Sequence, residues 1–188
     1  AVPAYDKALA LLKDGPDEAR WFPLYARGIA LERSKQFDRA EADLLAAIEI
    51  NPDQASLLNY LGYSWIDRNE NLDRGLDMIQ KAAELSPGDG YILDSLAWAY
   101  YRLGRYDEAE EMYSRSLAGH KEIGDLAHQG ITVGNVGILR NLQGRQAEGI
   151  KCFHQAIKLL EEGRTPRGVG YFSAYLAAAE AERDNLEV

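Results

Sequence analysis

Apolar residues recur along almost the whole chain at the i, i+3, i+4, i+7 spacing that puts them on one face of a helix, with polar residues between them. Leu24, Gly28 and Leu31 open the pattern, followed by Ala40, Leu44 and Ala47, and then by Leu58, Leu61, Gly62 and Trp65. Read this way, the chain is all-α, with about ten helices. An opening helix is predicted at about 3–14. Helix pairs follow at 19–34 with 37–50, 54–68 with 72–85, 91–103 with 106–122, and 125–143 with 146–162. Pro52 and Pro87 each follow a helix that they cannot continue. Thr165 is placed to cap a last helix with Pro166 at its first position, carrying an apolar stripe of Val169, Phe172, Leu176 and Ala179. The tail from Ala181 to Val188 is polar, as the outer face of a terminal element should be.

The pattern is also periodic. Aligning Gly28, Gly62, Ala97 and Gly137 gives steps of 34, 35 and 40 residues, each with the same skeleton around it. The third copy reads Leu93, Leu96, Ala97, Tyr100 and Gly104, then Ala109 and Tyr113; the fourth reads Val133, Val136, Gly137 and Gly144, then Gly149, Phe153 and Ala156. Small residues at the aligned positions let paired helices approach closely. This skeleton resembles the tetratricopeptide repeat, W-x2-L-G-x2-Y followed by A-x3-F and P. The resemblance implies a right-handed superhelical solenoid of antiparallel helix pairs spanning 1–188 as a single array. Its divisions are a leading helix at 1–20, repeats at 21–54, 55–89, 90–129 (with an extended helix) and 130–163, and a capping helix at 164–188. The first half is similar to bacterial 34-residue arrays and the second to the longer-helix variant of the repeat. The change of style admits two explanations: a natural array of mixed repeat lengths, or an engineered fusion of two arrays through a shared helix at about 105–122, with no native ligand.

Composition narrows the function. The 188 residues carry 21 Lys and Arg against 30 Asp and Glu, a net charge of −9. That balance argues against nucleic acid, whose phosphates need clustered cations. No apolar run approaches the roughly 18 residues of a membrane helix, and Ala1 to Lys13 lack the layout of a secretory leader. The chain begins on Ala1 without Met, as a processed or excised chain would. Cys152 is the single cysteine, so no internal disulfide forms.

No constellation of reactive residues amounts to an enzyme, and none calls for a cofactor or metal. Asp67, Asn69, Asn71 and Asp73 begin like a calcium loop, but Leu72 and Met78 stand where that loop needs Gly and Glu, so a polar turn is expected. Gly130, Gly134 and Gly137 share one helical face and suit close packing better than a phosphate cradle. His120, His128 and His154 form no spaced set with Cys152. The first two lie around a helix junction and are expected to be solvated. The pairs Glu110–Glu111 and Glu161–Glu162 read as solvated helix surface.

The function that remains is recognition. Stacked helix pairs present a concave surface to extended or helical peptides. The resemblance assigns that surface to Tyr25 and Ile29 in the first repeat and to Asn59 and Tyr63 in the second. In the third it assigns Tyr91, Asp94, Trp98, Tyr101 and Arg102, and in the fourth Asn135, Ile138 and Asn141. Tyr and Trp dominate interface energetics, and Asn can both donate to and accept from a peptide backbone. The cationic clamp of chaperone-binding relatives is absent, since Tyr25, Ile29, Tyr60, Tyr91 and Ser95 occupy its places. The expectation is a non-catalytic scaffold for a protein or peptide partner, with no nucleic acid or membrane, as a monomer or weak homodimer. Self-association through the opening helix, Ala4 to Leu12, is a further reading.

Overall fold

The computed structural model describes residues 1–186, with side chains through Arg183; the end of the polar tail lies outside the described residues. Among them are ten α-helices and one 3₁₀ turn, with no strand. They gather into two compact units, Ala1–Ser86 and Pro87–Val188.

The first unit holds α1 (Val2–Leu11), the 3₁₀ turn Asp17–Ala19, α2 (Trp21–Arg33), α3 (Phe37–Ile50), α4 (Ala55–Arg68) and α5 (Leu72–Leu85). The opening helix stops at Leu11, short of its expected end at 14, and the chain continues through tighter turns in which Lys13 N–H donates to the Ala10 carbonyl and Gly15 N–H to the Leu12 carbonyl. The remaining helices run 13–14 residues. Leu24, Leu44, Ala47, Leu57, Leu61 and Trp65 form one buried cluster. The turn at Asp67–Asp73 is a helix–helix connection in which Asn69 and Asn71 take the left-handed conformation that Asn tolerates. Arg27 donates to both oxygens of buried Asp43, at 2.6 and 2.7 Å, tying α2 to α3.

The second unit holds α6 (Gly90–Arg102), α7 (Tyr106–Glu122), α8 (Leu126–Leu142), α9 (Gln146–Glu162) and α10 (Pro166–Leu186). The middle three each have 17 residues, almost a full turn more than their counterparts in the first unit. Val133, Phe153, Ala156, Leu160 and Phe172 lie in its buried core. The expected close packing of α8 is present: a Cβ added at Gly134 would stand 2.2 Å from the Phe172 ring, and one at Gly130 would meet Leu160 at 2.6 Å. Pro166 begins α10 as expected, but the Thr165 hydroxyl donates back to the Gly163 carbonyl at 3.2 Å.

Two surface expectations are corrected. His120 is fully buried, because the longer α7 carries the stripe of Ala109, Tyr113 and Ser116 one turn further, to His120. Glu110 is half-buried and accepts from both Arg140 and Arg145 at 3.1 Å, so it serves a structural ion-pair network, not simple solvation.

Candidate functional site

The residues assigned to the concave surface fall into two groups, one in each unit. In residues 1–86, Tyr25 on α2 and Tyr60 on α4 meet edge to face at 5.8 Å, and both pack partly on the core cluster. Burial raises both phenols, and Tyr60's hydrogen bond to Glu32 raises it further. Glu32 also accepts from buried Ser64. This is a satisfied polar contact between helices, so Tyr25 acts chiefly in packing. Ile29 and Asn59 are half-buried, and the Asn59 side-chain oxygen is sealed from solvent with no partner. Tyr63 is 41% exposed.

Residues 87–188 carry the richer face. Along α6, Tyr91, Asp94, Trp98, Tyr101 and Arg102 follow helical spacing opposite the buried Leu93, Leu96 and Tyr100. Trp98 and Tyr101 stack at 5.0 Å with their planes 16° apart, and the Arg102 guanidinium lies 5.6 Å from the Trp98 ring. Tyr101 continues to the exposed Tyr106 at 6.1 Å and sits within electrostatic range of Tyr175 on α10. Tyr175 is itself 5.1 Å from Tyr171, and both are exposed. Sequence reasoning missed Tyr106, Tyr171 and Tyr175. On α10 it followed only the apolar stripe of Phe172 and Leu176, although Tyr171 and Tyr175, four apart, mark a second aromatic face.

On α8 the assigned residues divide. Asn135 is half-buried, whereas Ile138 is 8% exposed and belongs to the core. Asn141 is turned toward α9, where a Cβ at Gly149 would fall 2.0 Å from its side-chain oxygen. It is therefore an interhelical contact.

Tyr91, although 44% exposed, is held at its hydroxyl, which donates to Asp125 at 2.6 Å. Its ring meets His120 at 4.8 Å and His128 at 4.6 Å, both edge on. Desolvation opposes ionisation of Asp125, but hydrogen bonds from Tyr91 and from the backbone and ring of His128 outweigh it and bring the carboxyl to about 2. Burial, reinforced by neighbouring His128, holds His120 below the usual imidazole range.

Asp94 has the opposite environment. Burial raises its carboxyl to about 6 despite a hydrogen bond from Thr132 Oγ1 at 2.9 Å. The folded chain thus binds more protons than the unfolded chain between about pH 4 and pH 6, and stability contributed here falls as pH rises through that window. Asp94→Asn keeps an acceptor for Thr132 and is expected to flatten this slope. It should stabilise the chain at pH 7 by about 2 kcal/mol, read from urea midpoints of both proteins at pH 4, 5, 6 and 7.

Among the described residues no cluster of three or more His, Cys, Asp or Glu side chains is arranged to hold a metal, and no helix is long and apolar enough to cross a membrane.

Models of the tetratricopeptide repeat match residues 25–90 and 91–123, together more than half of the chain. A TPR repeat-containing protein of Pseudomonas aeruginosa is 34% identical over 119 residues, covering 63% of this chain and 20% of that protein. The mitochondrial import receptor subunit TOM70 of Homo sapiens is 26% identical over 118 residues, covering 63% of this chain and 19% of that protein. The chain spans about a fifth of the length of these curated relatives. The crystal structure of BtubC from P. vanneervenii superposes with a TM-score of 0.78 at 14% identity, covering 97% of this chain and 81% of that one. Tetratricopeptide repeats generally mediate protein–protein interaction and generally act as non-catalytic scaffolds. The periodic skeleton, the helix pairs and the matching family models agree, and the chain belongs to the tetratricopeptide-repeat family.

Proposed function

We propose that this chain is a non-catalytic scaffold that binds a partner protein by receiving a peptide segment on the aromatic face of residues 87–188. One observation carries the reading: Trp98, Tyr101, Tyr106, Tyr171 and Tyr175 form a set of rings that the core of their unit leaves partly or wholly exposed. Rings of this kind offer large contact area at little entropic cost, and an exposed aromatic patch commonly marks a binding surface. Asn135 supplies a donor and an acceptor for peptide backbone on the neighbouring helix. The lengthening of the helices from α7 onward supports an array built from two repeat lengths.

The test is panning of a random dodecapeptide library on the full chain, with recovered peptides measured by fluorescence anisotropy. Trp98→Ala and Tyr171→Ala are each expected to weaken binding tenfold or more, on the order of 1–2 kcal/mol, while circular dichroism melts stay close to the parent. Peptides indifferent to both substitutions would move the binding site off this face.

Leu11, 79% exposed on α1, favours a second reading in which copies of the chain pair through that helix. Light scattering after size exclusion separates the two: a mass of 20.9 kDa at every concentration supports the peptide face, and a concentration-dependent dimer supports pairing.

A further inference from the structure

Within the aromatic face one carboxylate stands without a counter-charge. Asp94 lies about one helical turn from Tyr91 on one side and from Trp98 on the other. Its hydrogen-bond partner is the uncharged hydroxyl of Thr132, and among the described residues no Lys or Arg forms an ion pair with it. The charged and titratable groups around it do not fill that role. On α8, His128 attracts Asp94 only weakly and is already bonded to Asp125 at 2.8 Å. From α7, His120 is buried and held below the usual imidazole range. On α6 itself, Tyr91 donates to Asp125, and Arg102 lies eight residues on, about 12 Å along the axis, beside the Trp98 ring.

Asp94 is half-buried: a carboxylate partly withdrawn from water with no cation beside it costs stability, and stability is commonly given up where function requires it. The chain's net charge of −9 attracts cationic partners at longer range. We infer that Asp94 is a cation subsite, receiving the ammonium or guanidinium of a Lys or Arg side chain from the bound peptide, whose aliphatic stem lies against Trp98 and Tyr91. The inference rests on the peptide-binding reading above and adds the chemistry of the ligand.

The experiment uses the peptides recovered by panning, resynthesised with each Lys or Arg replaced in turn by norleucine and measured against the full chain and Asp94→Asn. One basic position is expected to matter. Its norleucine substitution and Asp94→Asn should each lower affinity roughly 10- to 100-fold, and the two together should cost little more than either alone. Affinity of the parent pair should also fall as pH drops from 7.5 to 5, following protonation of Asp94, and Asp94→Asn should abolish that dependence. Peptides that lose affinity with Trp98→Ala but are indifferent to Asp94→Asn would overturn the cation subsite and leave the peptide face standing. Peptides indifferent to both, or no recovered peptide at all, would overturn both readings. Because the norleucine arm leaves the protein unaltered, the result does not depend on how the variant folds.

Discussion

Trp65→Ala is expected to destabilise residues 1–86 by about 3–5 kcal/mol, the cost of removing a fully buried indole and leaving a cavity behind. Trp65 has no exposed surface, donates its indole N–H to Glu41 at 2.9 Å, and has the Arg74 guanidinium 4.9 Å from its ring. Truncation therefore opens the cluster of Leu24, Leu44, Leu57 and Leu61 and strips Glu41 of a donor. Trp98 is the informative control. Its ring is only half-buried and rests on Tyr101 and Arg102, so alanine there is expected to cost about 1 kcal/mol or less while removing peptide binding. Hydrogen exchange read by mass spectrometry separates the effects by unit: Trp65→Ala should raise exchange throughout α2–α5, and Trp98→Ala should leave the core of α7–α9 protected. A small effect at Trp65 would mean that α4 repacks around the loss.

The contrast between the two indoles was readable before any coordinates. Trp65 lies three residues after Gly62, where the repeat skeleton and the helical period both point inward; Trp98 lies one residue after Ala97, on the opposite side of the same pattern. Periodicity reports which face a residue occupies, so it located the helices, the close-packing glycines and most of the core. It reports less well how far a stripe extends. His120 falls on the inward stripe of α7, but only if the helix runs to Glu122 with its apolar face intact, and a polar residue near a helix end reads as solvated from sequence alone. The same weakness bears on Ile138 and Asn141: Ile138 is buried in the core of its unit, and Asn141 is half-buried and turned toward α9.

Partnership was the part that periodicity could not reach. Asp94, Asp125 and Glu110 are all carboxylates on helices or at their caps, and nothing in the local sequence tells them apart. Much of what distinguishes them comes from residues more than 25 positions away, Thr132 for Asp94, Tyr91 for Asp125, and Arg140 with Arg145 for Glu110, with nearby His128 also bound to Asp125. Two of the three are thereby bound into the structure. Asp94 has the Thr132 hydroxyl alone, whereas Asp125 also holds the His128 ring and Glu110 holds two arginines, so Asp94 is the carboxylate proposed for the ligand.

Gly62→Leu is expected to cost more than about 3 kcal/mol, at the upper end of what overpacking exacts, and to separate α4 from α5. A Cβ at Gly62 would lie 2.7 Å from the carbonyl oxygen of Gly75 and 2.8 Å from Cγ1 of buried Ile79. Gly75 in turn has the Gly62 carbonyl 3.0 Å from its own Cβ position, so two backbones meet here with no side chain between them. A clash with a flexible side-chain end can be relieved by a rotamer change. A clash with a carbonyl can be relieved only by moving a helix, which would also pull Ile79 and Trp65 from their contacts. Helix propensity acts the other way, since leaving glycine favours a helix by roughly 0.5–1 kcal/mol, so even Gly62→Ala is expected to show a net loss. Equilibrium unfolding in urea, followed by circular dichroism, reads both variants. A Gly62→Ala protein as stable as the parent would mean that the crossing of α4 and α5 has slack, and that the small residue recurring along this sequence is there for propensity or history and not for contact.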